Sequence, residues 1–244
     1  MMSGASAVNH AETFVFLDIE TTGFRDPKIT ELAMLVMPRE DFMPQRNGTS
    51  RRALNKWTSL FNPDKPIEAK ASEITGLTND MLGKYNKFDK NAATSIMSYL
   101  SHYPKPICLI AHNGRRFDFP IIRKSFENVG VDIPDYIVCS DSLAILKELE
   151  NGCTGPIDRD QGLESSLLLG PCAAGGTIAK QQRKSFKLSE VHKRLFNCEP
   201  VVAHFAEEDV EILHKVATFY GDEFIKIAEK LAFTFSQVRG NISN

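Results

Sequence analysis

A buried strand that ends in two acids lies close to the N-terminus of this chain. Residues 14–17 are all apolar or aromatic, and they lead directly into Asp18-Ile19-Glu20. Because successive side chains of a strand point to opposite faces, Asp18 and Glu20 point the same way. Two carboxylates beside apolar chain repel each other and lose hydration, and a bound divalent cation relieves both effects. Oxygen ligands alone favour Mg²⁺ or Mn²⁺ over Zn²⁺; the alternative is a strand end with two solvated acids.

Two later segments add further acids and a histidine. Residues 111–120 contain His112 and Asp118, and residues 204–209 begin with His204 and end with Asp209. A spacing of five residues corresponds to a rotation of about 140° around a helix, so His204 and Asp209 do not share a helical face. We therefore expect His204 in a mobile loop just before the helix that carries Asp209.

Taken in order, the three segments resemble the DEDDh 3′–5′ exonuclease superfamily. Its patterns D-x-E-T-x-G, H-N-x-x-x-D-x-x and H-x-A-x-x-D are matched around Asp18, Asp118 and Asp209. Four stretches resemble its three-prime repair exonuclease branch: SEITGLT at 72–78, HNGRRFDFP at 112–120, VCSDS at 138–142, and the segment 187–196 followed by 204–209. One departure is Thr21, which stands where vertebrate members of that branch more often carry Ala.

The resemblance implies an α/β chain with an RNase H-like exonuclease fold, in which helices flank a central mixed five-stranded sheet. It implies a metal-dependent 3′–5′ exonuclease that releases nucleoside 5′-monophosphates from the 3′ ends of DNA, with single-stranded or frayed ends preferred. His204 would accept the proton of the attacking water. Four carboxylates can hold two ions, Mg²⁺ or Mn²⁺, roughly 3.5–4 Å apart. The expected metal ligands are Asp18, Glu20, Asp118 and Asp209, which together with His204 form the expected catalytic set.

Three apolar side chains are expected to contact the end of the substrate. The resemblance implies that Phe24, Ile74 and Phe117 touch the last nucleotides. Stacking of bases on aromatic rings tolerates any sequence, which suits an exonuclease. Ordinary core packing is the alternative for these side chains.

Polar side chains near the same motifs are expected to bind the substrate as well. Arg116 would bind a phosphate near the scissile bond, unless it is simply a surface arginine. Thr21 and Thr22 would bond the 3′-OH, unless they only shape the turn at Gly23.

Residues 151–185 interrupt the pattern of strands and helices. They contain several glycines, two prolines and many polar residues, so we expect a long surface loop. Its basic residues Lys180, Arg183 and Lys184 are candidates for binding incoming nucleic acid through its phosphates. A disordered connector is the alternative.

The remaining chain alternates strand-like and helix-like segments, which favours a mixed α/β sheet. We expect strands at 13–18, 29–37, 57–61, 107–111 and 137–139 and helices at 69–74, 91–102, 119–129, 142–149, 186–196, 207–220 and 222–235. Asp141 is expected to cap a helix, and His112 to be structural. We expect a disordered N-terminus at 1–12, a single exonuclease domain at 13–236 and a frayed tail at 237–244.

Composition is consistent with a single globular domain. A length of 244 residues suits one large α/β domain. We expect an intracellular protein, nuclear or cytoplasmic, because neither a membrane-spanning segment nor a secretory signal is seen and no membrane partner is indicated. The five cysteines are odd in number and lack C-x-x-C spacing, which argues against a zinc site or disulfide framework. A net charge of −2 counts mildly against a nucleic-acid-binding protein, but metals would neutralise the four site carboxylates.

Two alternatives to a DNA exonuclease stay open. A 3′–5′ exoribonuclease that trims RNA or degrades short oligonucleotides would use the same nucleophile and metals, and would depend on a pocket that admits the 2′-OH. A catalytically silent nucleic-acid-binding module is less favoured, because all four acids and the histidine are present. The expected partner is single-stranded DNA or the 3′ end of duplex DNA, with RNA as the alternative, and the resemblance also implies a homodimer formed edge to edge between sheets.

Overall fold

The computed structural model describes residues 10–42, 55–152, 184–200 and 205–238. Within these ranges, one mixed sheet contains six strands, in the order β3-β2-β1-β4-β5-β6. The strands are β1 Thr13–Thr21, β2 Ile29–Pro38, β3 Asn55–Leu60, β4 Ile107–Ala111, β5 Ile137–Asp141 and β6 Phe233–Thr234. Strands β1, β4 and β5 are parallel, whereas β2, β3 and β6 each run antiparallel to a neighbour. The predicted mixed α/β architecture is confirmed.

The short strand β6 is a difference from the five strands that the sequence predicts. The predicted last helix covers residues 222–235, but the helix ends at Lys230 and β6 then pairs with Val138 and Cys139 of β5. The ring of Phe233 is buried, with its centroid 5.7 Å from that of Phe119. This long-range packing ends the helix early, and a helical pattern of apolar residues does not reveal it.

The described helices are α1 Arg39–Phe42, α2 Ala69–Thr75, α3 Asn79–Leu82, α4 Lys90–Ser101, α5 Asp118–Val129, α6 Ser142–Gly152, α7 Leu188–Phe196, α8 Ala206–Tyr220 and α9 Asp222–Lys230. Seven of them begin close to their predicted positions, whereas the four-residue helices α1 and α3 are not predicted from the sequence. Asp89 caps α4 by accepting a hydrogen bond from the backbone N–H of Ala92 at 2.9 Å. Asp141 accepts one from the N–H of Leu143 at 2.9 Å, so its predicted capping of α6 is confirmed.

Alternation along β1 decides which side chain enters which of two cores. Val15 and Leu17 pack in the core that contains residues of α4 and α5, whereas Phe14 and Phe16 pack in the core that contains residues of α6, α8 and α9. Burying each of these side chains contributes about 1.5–3 kcal/mol to folding. The same alternation directs the two acids that follow toward the face that α8 covers.

Both ends of the described chain are packed more firmly than the sequence predicts. Ala11, expected in a disordered N-terminus, is buried, and its N–H donates to the carboxylate of Glu229 at 2.7 Å. Val238, expected in a frayed tail, is buried, and its carbonyl accepts a hydrogen bond from Arg123 at 2.7 Å. The remaining terminal residues lie outside the described ranges.

No described helix has the length and apolar character needed to cross a membrane. The described cysteines Cys108, Cys139 and Cys198 are free thiols. Burial raises the pKa of the Cys108 thiol to about 12, which leaves it unreactive. The other two cysteines and most of the predicted loop at 151–185 lie outside the described residues, although α6 extends to Gly152.

Candidate active site

Acidic side chains gather where the carboxyl ends of the parallel strands meet, which is the usual ligand-binding edge of such a sheet. Asp18 and Glu20 stand near the end of β1, and Asp209 lies in the first turn of α8. One carboxylate oxygen from each of these three residues lies within 4.8 Å of the others. The structure thus brings together residues that are almost 190 positions apart in sequence (209 − 20 = 189).

Asp118, the first residue of α5, joins this group from the side of Asp18. Among the charged neighbours of Asp18, Asp118 raises its pKa the most. The Asp118 carboxylate accepts hydrogen bonds from the backbone N–H groups of Ile19 and of Asp118 itself. Its Oδ1 atom is buried and meets no hydrogen-bond partner among the described residues. A buried carboxylate oxygen without a donor is costly, and a cation would stabilise it.

Burial and mutual repulsion perturb these carboxyl groups strongly. Loss of hydration raises the pKa of Asp18 well above its usual range, and the charges of Asp118 and Glu20 add to the shift. Loss of hydration, with the charge of Asp209 next in size, raises the pKa of Glu20 to about 8. The pKa of Asp118 rises to about 7, again chiefly through burial. Groups perturbed in this way mark sites that are organised around a positive charge.

The donor set fits a hard divalent cation. The three clustered side chains offer only carboxylate oxygens, which are the ligands that Mg²⁺ and Mn²⁺ prefer. The partnerless Oδ1 of Asp118 supplies a further oxygen beside them. Three of the predicted ligands, Asp18, Glu20 and Asp209, therefore lie together, and Asp118 is close enough to raise the pKa of Asp18.

The turn after β1 uses the hydroxyls of Thr21 and Thr22 internally. Thr21 Oγ1 donates to the carbonyl of Gly23 at 3.2 Å, and Thr22 Oγ1 accepts from the N–H of Lys28 at 3.1 Å. Both threonines are buried. These bonds favour the turn-shaping alternative, and contact of either hydroxyl with a 3′-OH stays a prediction.

Gly23 is the position in this turn that cannot accept a side chain. Its φ is +130°, and a Cβ atom built there would lie 2.2 Å from Cδ of Glu68. We expect Gly23→Ala to lower the free energy of unfolding by about 1–3 kcal/mol, the usual cost of such backbone strain. Urea unfolding of the variant measures this. Adding Glu68→Ala removes the clash but not the strain, so it should restore only part of the loss; a Gly23→Ala variant as stable as wild type would contradict the assigned conformation.

Two of the three predicted stacking side chains are exposed, whereas Phe117 is partly buried against the core. Phe24 is 74% exposed and Ile74 is 45% exposed, so the alternative of core packing is wrong for both. The Phe24 ring lies edge-on to that of Phe117, with centroids 6.1 Å apart, and Phe117 directly precedes Asp118. Arg116 is exposed as well. Their contact with nucleotides stays a prediction.

Several predicted site residues lie at the boundary of the described ranges or outside them. Lys184 forms an ion pair with Glu150, which neutralises part of its charge. Lys180, Arg183 and His204 lie outside the described residues. Helix α8 begins at Ala206, which agrees with the placement of the predicted histidine ahead of the helix.

His112 and Asp141 brace the turn that leads to α5. His112 is structural, as predicted: Nδ1 lies 3.0 Å from Ser142 Oγ, and Nε2 lies 2.9 Å from the carbonyl oxygen of Phe186. Besides capping α6, Asp141 accepts the N–H groups of Asn113 at 3.0 Å and Arg115 at 3.2 Å. This second role of Asp141 is not apparent from the sequence.

Glu31 is the acid near the site that sequence reasoning missed. It is buried on β2, directly across from Glu20 in the antiparallel register. Its only signal in the sequence is a carboxylate within the otherwise apolar run ITELAMLVM. An isolated charge in a strand that is buried on both faces requires a partner.

Comparison with proteins of known structure supports the fold. Escherichia coli exonuclease I in complex with a dA16 oligonucleotide superposes with a TM-score of 0.63 at 18% identity, over 88% of this chain and 42% of that chain. Cell-death related nuclease 4 superposes with a TM-score of 0.58 at 11% identity, over 85% of this chain and 63% of that chain. At these identities the likeness concerns the fold alone, and it confirms the predicted exonuclease-like architecture.

Sequence comparison identifies the family of the chain as well as its fold. The family model described as Exonuclease matches residues 15–153. Mouse three prime repair exonuclease 2 is 34% identical over 237 residues, which cover 93% of this chain and 92% of that protein. Human three-prime repair exonuclease 1 is 30% identical over 241 residues, which cover 93% and 70%. Such a family implies dependence on a divalent metal, and the acidic group of Asp18, Glu20 and Asp209 has side chains of the kind that bind one. The chain therefore belongs to the exonuclease family, and within that family to the three-prime repair exonucleases.

Proposed function

We propose that this protein is a metal-dependent 3′–5′ exonuclease that releases nucleoside 5′-monophosphates from the 3′ ends of DNA, with single-stranded or frayed ends preferred. The observation that carries the proposal is the convergence of Asp18, Glu20 and Asp209 within 4.8 Å. The names of the relatives and the oligonucleotide held by the bacterial neighbour support it.

The proposed cofactor is a pair of Mg²⁺ or Mn²⁺ ions. When bound, such ions lower the pKa of a water nucleophile and stabilise the departing 3′ oxygen. Asp18, Glu20 and Asp209 would hold the ions together with Asp118, whose charge also raises the pKa of Asp18. His204 would take the proton from the attacking water.

The chain's other residues would orient the substrate. The exposed side chains of Phe24 and Ile74 and the partly buried ring of Phe117 would provide apolar surface for the terminal bases. Arg116, exposed one residue before Phe117, would bind a phosphate near the scissile bond. Thr21 would reach the 3′-OH only after releasing its bond within the turn.

The basic residues Lys180, Arg183 and Lys184 would hold the incoming strand by its phosphates. We expect the triple variant Lys180→Ala, Arg183→Ala, Lys184→Ala to raise KM for single-stranded DNA about 10-fold or more and to leave Mn²⁺ affinity unchanged. Each lost phosphate contact should also reduce the salt dependence of binding, by about 0.7 in the slope of log K against log salt. Steady-state kinetics at salt concentrations from about 50 to about 200 mM would measure both KM and its salt dependence.

The single variant Lys184→Ala serves as the internal control for the triple variant. Lys184 already forms an ion pair with Glu150. Of the three single alanine substitutions at these basic residues, Lys184→Ala should therefore change KM the least. An unchanged KM in the triple variant would reject the proposed contact.

The activity is tested with oligonucleotides that carry the label in the 3′-terminal nucleotide. Single-stranded DNA, duplex DNA and RNA of matched sequence are incubated with Mg²⁺, with Mn²⁺ or with EDTA. We expect labelled mononucleotide from the first turnover, fastest on single-stranded DNA and absent in EDTA. Faster release from RNA would favour the exoribonuclease alternative, and cleavage into longer labelled fragments would contradict an exonuclease.

We also propose a homodimer formed through strand β3. This strand lies at one edge of the sheet, its side chains are partly exposed, and no described strand pairs with its outer side. Unpaired edge strands readily pair with another chain. Light scattering should give about twice the chain mass of 27.3 kDa, and a single-chain mass would contradict the dimer.

An intracellular residence, nuclear or cytoplasmic, is the remaining part of the proposal. The free thiols of the described cysteines support it, since a reducing compartment keeps thiols unpaired. Fractionation of cells that express the protein would test it.

A further inference from the structure

Glu31 is a buried acid for which the chemistry above has no use. It is 8% exposed, lies on β2 opposite Glu20, and is followed on the same face by the fully buried Ala33 and Leu35. Burying a carboxylate costs several kcal/mol unless partners compensate. The partner that the structure provides is therefore informative.

That partner is the start of helix α8. The Glu31 carboxylate accepts a hydrogen bond from the backbone N–H of Ala206 at 3.2 Å, across 175 positions of sequence. The first N–H groups of a helix have no acceptor within the helix, and the cap residue Phe205 offers no side-chain hydrogen bond. Glu31 thus supplies from the sheet the cap that the local sequence lacks, and its negative charge also suits the helix N-terminus.

The turn that Glu31 caps is the one that carries Asp209. Asp209 lies three residues after Ala206, and its N–H donates to the carbonyl of Phe205 at 3.0 Å. Residues three apart on a helix are neighbours on one face. A displacement of the Ala206 N–H from the sheet would therefore move the Asp209 carboxylate relative to Glu20, the residue directly across from Glu31.

We propose that Glu31 is a positioning residue for the metal site: its hydrogen bond to Ala206 holds Asp209 at the separation from Glu20 at which both carboxylates share a cation. The proposal rests on the proposed function for its catalytic consequence, but its metal-binding consequence can be measured without catalysis. Residues that orient metal ligands in this way typically contribute 10–100-fold in metal affinity or activity.

Two substitutions at Glu31 separate its hydrogen bond from its charge. Glu31→Gln keeps an oxygen that can accept from Ala206 and removes the charge, whereas Glu31→Leu removes both. We expect Glu31→Leu to weaken Mn²⁺ binding about 10-fold or more, measured by loss of the free Mn²⁺ signal in electron paramagnetic resonance without DNA. Glu31→Gln should stay within about threefold of wild type. Glu208→Gln, which removes a carboxylate from the same turn of α8 without this hydrogen bond, is the matched control and should also stay near wild type.

Two further measurements exclude a general loss of structure. Hydrogen exchange should accelerate in the peptide that contains Ala206 in Glu31→Leu, but not in Glu31→Gln. On single-stranded DNA, Glu31→Leu should lower kcat about 10–100-fold with KM within about twofold, because a buried residue behind the ligands does not touch substrate. Ala206→Pro removes the donor at a helix position that tolerates proline, and it should reproduce the weakened Mn²⁺ binding even if Glu31→Leu fails to fold.

The outcomes distinguish this proposal from the proposed function. If Glu31→Leu or Ala206→Pro binds Mn²⁺ as wild type does, or if Glu31→Gln is impaired as much as Glu31→Leu, the positioning role is rejected. If the wild-type protein binds Mn²⁺ and the variants weaken that binding as expected, but the wild type degrades no oligonucleotide, the proposed function fails and the positioning role stands.

Discussion

Asp18→Asn is expected to lower kcat for DNA degradation by about 10³-fold or more, which corresponds to about 4 kcal/mol of activation free energy. Asp18 belongs to the acidic group with Glu20 and Asp209, and the charge of Asp118 also raises its pKa, so the proposed metal site depends on its carboxylate. An asparagine has nearly the same shape but is a neutral, weaker ligand for a hard cation. Single-turnover release of a labelled 3′-terminal nucleotide measures the loss.

The matched control for this variant is Asp26→Asn, which removes one carboxylate from the neighbouring turn. Asp26 forms ion pairs with Lys28 and Lys124 and lies outside the acidic group. Its φ of 45° is one that asparagine adopts readily. Asp26→Asn should retain kcat within about twofold. Activity of Asp18→Asn within tenfold of wild type would contradict a metal centre built on Asp18.

The second large effect concerns stability without metal. The pKa of Glu20 is raised from 4.5 to about 8, and that of Asp118 from 3.8 to about 7. Each of these carboxyl groups has a higher pKa in the folded protein than in the unfolded chain. At pH values between its two pKa values, the group is protonated in the folded protein and ionised in the unfolded chain. The free energy of unfolding therefore falls as the pH rises. The stabilisation by these protons is complete below about pH 4 and is lost as pH rises through about 7 to 8. From pH 5.5 to 8.5, we expect a decrease on the order of 5 kcal/mol in metal-free protein, because each pKa unit corresponds to about 1.4 kcal/mol.

Thermal unfolding in EDTA and in Mg²⁺ measures this effect. A loss of this size corresponds to a fall in Tm of about 10–20 °C for a chain of this length. Mg²⁺ binds the ionised carboxylates, so its stabilising effect should be larger at pH 8.5 than at pH 5.5. Glu20→Gln is the control, because it lacks one of the titrating groups and should show a smaller pH dependence. A Tm in EDTA that does not fall with pH, or a pH-independent gain from Mg²⁺, would contradict the repulsion among these acids.

Local periodicity accounts for the parts of the site that could be predicted from the sequence. The two-residue alternation of β1 puts Asp18 and Glu20 on one face, and the spacing before Asp209 separates His204 from the helix. Parallel strands then bring their carboxyl ends to one edge, so the convergence with Asp118 follows from the order of the elements together with the motif resemblance.

Contacts between distant segments account for what could not be predicted. The bond from Glu31 to Ala206, the ion pair of Lys184 with Glu150, and the pairing of Phe233 with Cys139 each depend on tertiary packing. None leaves a periodic signal in its own neighbourhood. For Glu31, a charge within an apolar strand indicates that a partner exists, but only the structure identifies it.

The most direct test of the metal centre is an anomalous difference map from crystals of the wild-type protein soaked in Mn²⁺. Two peaks are expected, roughly 3.5–4 Å apart. They should lie among the carboxylates of Asp18, Glu20, Asp118 and Asp209. A map with no peak among these carboxylates, at a Mn²⁺ concentration that supports DNA degradation in solution, would contradict the metal-dependent mechanism proposed for this protein.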